Sequence, residues 1–122
     1  MAMKWVIDTN IVLYHLGGRL DEPIPAGEHS VSVITELELL SWDQLDQPGD
    51  AAVRAFLGAV GRVDLTQAVK DAAVVLRRTA RLKLPDATVA ASALATGATL
   101  LTADERLHRV PGLAAAPLKL KR

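Results

Sequence analysis

Short β-rich runs alternate with helix-period segments along this chain, and that alternation limits the fold more than any other feature. Lys4-Trp5-Val6-Ile7 is a β-rich run that stops at Asp8-Thr9-Asn10. Ile11, Val12, Leu13 and Leu16 then recur at helical spacing until Gly17-Gly18. Residues 19–30, with two prolines and a glycine, read as a loop. Ser30–Ile34 opens as a strand, and from about Ser32 a helix takes over with Val33, Ile34, Leu37 and Leu40 on one face. Asp46–Asp50, carrying Pro48-Gly49, is a break, and a helix follows from Ala51 to about Ala59, ended by Gly58 and Gly61.

The second half repeats the pattern. Arg62-Val63-Asp64-Leu65 is a strand candidate, and Thr66 caps a long helix over residues 67–82. Val69, Ala72, Ala73, Leu76 and Ala80 keep its apolar rhythm. Pro85 interrupts, and Asp86 opens a helix to about Ala95 that is small and apolar all round, as a buried helix is, with Gly97 as its stop. Thr99-Leu100-Leu101 is a strand, Thr102-Ala103-Asp104-Glu105 fits a capping box for a short helix, and Gly112–Leu118 is a last strand. Strands that alternate with helices predict an α/β fold, a short, mostly parallel central sheet with helices on both faces. At 122 residues, without repeats or a long linker, residues 1–122 are expected to form one domain.

In such a sheet the ligand crevice lies beyond the carboxyl ends of the strands. Asp8 follows the first strand and Asp104 the fourth, while Asp86 opens a helix whose dipole favours a carboxylate. Taken singly, each acid has an ordinary use as a strand terminator or helix cap. Taken together, carboxylates sharing one crevice repel one another, and a divalent cation with a taste for hard oxygen, Mg²⁺ or Mn²⁺, resolves that repulsion. Such a site suits phosphoryl chemistry.

Charge neither supports nor excludes a nucleic-acid substrate. The chain has 14 basic and 14 acidic residues, but residues 1–50 carry nine acids and two bases while residues 51–122 carry five acids and twelve bases. Without Cys, disulfide scaffolds and Cys-ligated metal sites are excluded, and folding in a reducing compartment is open. The start lacks an apolar signal core, and the longest uncharged stretch, 17 residues over 87–103, is short for a membrane span, so neither secretion nor membrane insertion is expected.

Four segments, in order and spread over nearly the whole chain, resemble the PIN-domain ribonucleases, and specifically the VapC-type toxins of bacterial toxin–antitoxin pairs. They are Val6-Ile7-Asp8-Thr9-Asn10, Ser32-Val33-Ile34-Thr35-Glu36-Leu37-Glu38-Leu39-Leu40, Leu84-Pro85-Asp86-Ala87-Thr88-Val89-Ala90-Ala91 and Leu100-Leu101-Thr102-Ala103-Asp104. The resemblance implies a three-layer sandwich in which Asp8, Asp86 and Asp104 match the family's metal-binding aspartates. The family's acidic helix position falls on Glu38 by motif alignment, with Glu36 as the rival that helix geometry does not separate. Asn10 and Thr102 match small polar positions expected to orient Asp8 and a water or phosphate.

It further implies hydrolysis of RNA phosphodiesters with one or two Mg²⁺ or Mn²⁺ ions, leaving 5′-phosphate and 3′-hydroxyl ends. A cognate antitoxin, a homodimer and a bacterial cytoplasmic setting are implied as well. Arg77, Arg81, Arg106 and Arg109 are candidates for tracking RNA phosphates, with Lys70, Arg77 and Arg81 spaced as one helical stripe. The segments 10–16 and 33–42 carry more large apolar residues than one buried stripe needs, including Leu13, Leu37 and Trp42, which suits a groove for a partner helix. His15, His29 and His108 are expected in surface or capping roles.

Two other readings compete. One is a non-catalytic protein-interaction domain on the same fold, its acids kept as caps. The other is a Mg²⁺-dependent phosphoryl-transfer or receiver-like domain. Against the last stand Asn10 where an Asp-x-Asp pair would need a second acid, the lack of an acidic pair before Asp8, and the lack of any glycine-rich nucleotide loop.

Overall fold

A computed structural model describes residues 2–122. Its elements run β1 (Lys4–Ile7), α1 (Thr9–Leu16), β2 (Glu28–Ser32), α2 (Val33–Leu40), α3 (Gln47–Ala59), β3 (Gly61–Val63), α4 (Gln67–Thr79), α5 (Leu84–Thr96), β4 (Thr99–Leu101), α6 (Glu105–His108) and β5 (Ala115–Ala116). All five strands are parallel, in the order β3-β2-β1-β4-β5.

β1 is the centre of the sheet. Trp5, Val6 and Ile7 pair with Thr99, Leu100 and Leu101 on one side, and Lys4, Trp5 and Val6 with Glu28, His29 and Ser30 on the other. Strand residues alternate between faces. Val6 and Leu100 enter a core with Val69, Ala73 and Leu76 of α4 and the small residues of α5. Ile7 and Leu101 enter the opposite core with Ile11 and Val12 of α1, Val31, Leu39 of α2, and Val53 and Leu57 of α3. The result is the expected three layers. The chain leaves β1 to build β2 and β3 on one side, then crosses over to β4 on the other. The strand order therefore reverses between β1 and β4, and a crevice opens at that point beyond their carboxyl ends.

Several boundaries differ from expectation. β2 starts at Glu28, inside the expected loop, because Gly27 lets the chain lie against β1. A Cβ at Gly27, which has φ +141°, would run into the Met3 carbonyl, and Glu28 N donates to that carbonyl at 2.8 Å. The expected break at Asp46–Asp50 is the first turn of α3. The Asp46 side chain accepts from Gly49 N at 2.7 Å and Pro48 occupies a first-turn position that needs no amide hydrogen.

α4 ends at Thr79 rather than at residue 82, so Arg81 leaves the expected stripe and turns the chain with φ 55°. α5 begins one residue ahead of Pro85, and Gly97, at φ 67°, closes it as expected. The expected capping box fails. Asp104, not Thr102, caps α6, accepting from Arg106 N at 3.0 Å. The final strand shrinks to Ala115–Ala116, and beyond it Leu120 makes an antiparallel bridge to Leu20. Among the described residues no helix is long and apolar enough to cross a membrane.

Candidate active site

The parallel register between β1 and β4 decides where the acids go. Asp8 N donates to Leu101 O at 2.9 Å, so the residues leaving both strands emerge side by side. Asp8 is 8% exposed and caps α1. One carboxylate oxygen accepts from Thr9 N at 2.8 Å and the other from the Thr102 hydroxyl at 2.6 Å. Thr102, fully buried, uses the same oxygen to accept from Asp104 N at 3.0 Å. A hydroxyl is suited to this because it donates once and accepts twice. It orients Asp8 and the start of the Asp104 turn together.

Burial pushes the Asp8 carboxyl above its ordinary value of 3.8, the bonds from Thr102 and Thr9 pull it back, and the charges of Asp86 and Asp104 raise it further. Asp8 thus feels the charges of Asp86 and Asp104 across the crevice. Asp86 arrives from the first turn of α5 and Asp104 from the cap of α6. The Arg106 guanidinium lies between them. Its Nη2 is 2.7 Å from Asp104 Oδ2 and 3.2 Å from Asp86 Oδ2, and its Nε donates to Asp104 Oδ1 at 3.2 Å. Hydrogen bonding to Arg106 holds the Asp104 carboxyl below 3.8, with burial opposing, and Asp104 in turn holds Arg106 firmly protonated.

The two candidate glutamates on α2 separate cleanly. Glu38 Oε1 is 2.8 Å from the Thr9 hydroxyl, one residue from Asp8. Glu36 forms an ion pair of 2.6 Å with Arg62. Thr9 is also 2.9 Å from the buried Thr35 hydroxyl. An ionised carboxylate has no proton to give, so Thr9 donates to Glu38 and Thr35 donates to Thr9. This Thr35–Thr9–Glu38 relay escapes a reading of the sequence. Its one signal is a hydroxyl at the buried position of Val33-Ile34-Thr35, where an apolar residue would serve packing better.

Asn10 departs from its expected part. It is exposed and lines a groove with Thr9, Leu13, Glu38, Leu39 and Trp42, while the bonds holding Asp8 come from Thr9 and Thr102. Trp42 of this groove stands 46% exposed and Leu37 of α2 56%, as the surplus of apolar residues over 33–42 predicted. Arg77, Arg81 and Arg109 are exposed and, unlike Arg106, make no ion pair among the described residues. His29 and His108 bond to the carbonyls of Pro25 and Thr102, neither of which ends a helix.

The donor set is all hard oxygen, four carboxylates and two hydroxyls, which suits Mg²⁺ or Mn²⁺ and not a soft metal. Among the described residues no three acids close around a single point; two of the four are drawn together by Arg106 instead. The residues fit a divalent ion by chemistry, with a guanidinium standing between two of its ligands.

The PIN domain family model matches residues 5–113. No curated protein matches the sequence. Among solved structures, the fold is similar to VapBC2 from Rickettsia felis bound to a DNA fragment from its promoter. That match has 20% identity and a TM-score of 0.80, and covers 96% of this chain and 100% of that one. A toxin–antitoxin complex from Klebsiella pneumoniae shares 26% identity at a TM-score of 0.73, with 89% and 94% of the chains covered. DNA-bound VapBC from Salmonella typhimurium shares 19% identity at a TM-score of 0.79, with 94% and 98% covered.

Proposed function

This chain belongs to the PIN-domain family, and from that premise we propose that it is a metal-dependent endoribonuclease acting as the toxin of a toxin–antitoxin pair. The observation that carries this reading is the placing of Asp8 and Asp104 beyond the carboxyl ends of β1 and β4, where the strand order reverses, with Asp86 bridged to Asp104 by Arg106 and Glu38 joined to Asp8 through Thr9.

Asp8, Glu38, Asp86 and Asp104 would hold Mg²⁺ or Mn²⁺. When bound, the ion supplies a Lewis acid that makes hydroxide available at neutral pH and offsets charge on the scissile phosphate. The chain's own residues supply order. Thr102 and the Thr9 amide fix both oxygens of Asp8, so the acid with least freedom is also the most buried. Thr9, backed by Thr35, fixes Glu38 at the open side of the crevice. Exposed Arg77, Arg81 and Arg109 would meet RNA phosphates, a contact that weakens with salt. The groove beside Glu38, lined by Leu13, Leu39 and Trp42, would take an apolar helix of the antitoxin, and a cationic side chain from that partner would reach the carboxylates. We place RNA cleavage to 5′-phosphate and 3′-hydroxyl ends, and homodimerisation, within the same reading.

The test is cleavage of total RNA with Mg²⁺ or Mn²⁺, in wild type and in Asp86→Asn. Metal-dependent cutting that disappears in a folded Asp86→Asn protein supports the proposal, and equal cutting in the two defeats it. One observation favours the second reading, an interaction domain without catalysis: Arg106 already pairs with both Asp86 and Asp104 and offsets half of their charge. That reading expects no Mn²⁺ heat in calorimetry.

A further inference from the structure

Arg106 sits where a divalent ion would have to go, and the way it is held says how easily it leaves. Two of its nitrogens grip Asp104 and one of these also reaches Asp86. Its side chain is 57% exposed, and the helix that carries it, α6, is four residues long. An arginine so exposed holds its acids only weakly against water and salt. It still supplies the positive charge that ties two carboxylates together, and their charges reach a third, Asp8, which is buried and carries no ion pair among the described residues. The other two proposed ligands, Asp8 and Glu38, are held by hydroxyls, which hold an acid in place without adding charge. Only one side of the site is therefore occupied by a cation of the chain's own.

We infer that Arg106 is a resident cation that a divalent ion must displace from Asp86 and Asp104. It keeps the metal-free site together and lowers the affinity of the site for metal. The inference rests on the metal-site reading above and deepens it. A point ion with two charges satisfies both carboxylates and, unlike a planar fork, accepts Asp8 as a further ligand. The exchange has no covalent step. The guanidinium swings to solvent, and its backbone stays in place because the Arg106 amide makes its own bond to the Asp104 cap, separate from those of the side chain.

The experiment is Mn²⁺ titration calorimetry on the whole chain, comparing wild type, Arg106→Gln, Arg106→Lys and Asp86→Asn, with melting curves in chelator. Gln keeps the capping amide and a similar stem at an exposed position, so folding should survive. Arg106→Gln should bind Mn²⁺ about five- to tenfold more tightly than wild type, and Arg106→Lys should lie between them. The gap should narrow as salt rises. In chelator, Arg106→Gln should melt below wild type, because its carboxylates face one another unpaired. Equal affinity in wild type and Arg106→Gln overturns the inference and leaves the metal site standing, provided Asp86→Asn binds more weakly than both. Tighter binding by wild type than by Arg106→Gln overturns it also, since Arg106 would then assist the ion. No Mn²⁺ heat in any protein brings down the metal-site reading itself.

Discussion

Asp8 and Asp104 leave adjacent strands at the same end of one sheet, yet their surroundings drive them in opposite directions. Asp8 is buried, bonded only to an amide and a hydroxyl, and its carboxyl is pushed above the ordinary value. Asp104 is half-buried, gripped by Arg106, and held below it. Neutral donors on the buried side fix geometry without cancelling charge. An exposed cation on the other side offsets charge and is itself held only by the acids it pairs with. A site built this way keeps one acid permanently aimed and lets the others rearrange around whatever arrives.

The sharpest way to break the comparison is Asp8→Asn. Its amide oxygen can still accept from Thr9 N and its NH₂ can donate to Thr102, so the fold should be kept. RNA cleavage should fall by about 10²–10³-fold or more, while the metal-free melting temperature equals or exceeds that of wild type because an uncompensated buried charge is gone. A large drop in melting temperature would show that the Asp8 charge is structurally required. The two α2 glutamates come next. Glu38→Gln should weaken Mn²⁺ affinity and cleavage about ten- to a hundredfold. Glu36→Gln should leave cleavage near wild type and cost about 1–2 kcal/mol in urea unfolding, because Arg62 loses its partner.

Thr102→Val preserves shape and deletes the hydroxyl that serves Asp8 and Asp104 N at once. A loss of about 1–3 kcal/mol of stability is expected by urea unfolding, together with weaker metal binding. The opposed shifts also set a pH signature for metal-free protein. With its folded value above 3.8, Asp8 retains a proton that the unfolded chain releases. Its contribution is present below 3.8 and is lost as pH rises through the raised value. Asp104 does the reverse, contributing above 3.8 and losing that contribution as pH falls through its lowered value. In chelator, Asp8→Asn should flatten the decline on the rising side only, as melts from pH 3 to 7 would show. The smallest effect belongs to Arg81→Gly, away from the acids. It removes a non-glycine residue from φ 55° and should change stability by less than about 1 kcal/mol, with a stabilising sign.

The sequence displayed the parts of this site better than their connections. Strand β4 was legible to the residue, because Thr99-Leu100-Leu101 stands between a glycine stop and a polar turn. β2 was not, because it runs beside the exposed start of β1 and opens on Glu28-His29-Ser30, residues that look like loop until a neighbour pairs with them. The start of α3 was missed because Pro48-Gly49 signals a break in general and a first turn here, and only the Asp46 cap distinguishes the two. Aspartates at strand ends were visible from periodicity. Which residue holds each of them was not, since Thr9 to Glu38 and Thr102 to Asp8 are contacts across 29 and 94 positions. Arg106 looked like one more phosphate contact. Its position two residues past Asp104 gave no sign of a reach to Asp86, 20 residues back along the chain.

Helix α5 carries a last consequence, one for divergence. From Ala87 to Ala93 every residue is buried, and five of the seven are alanine or serine. α4 and the sheet close on it with no room for a larger side chain, so a substitution such as Ala90→Leu would move the helix and with it Asp86. The axis of the molecule is therefore nearly closed to mutation. The exposed arginines and the groove beside Glu38 remain open to it. Under the proposed function, a new RNA or a new partner can be acquired at those surfaces while the carboxylates stay where they are.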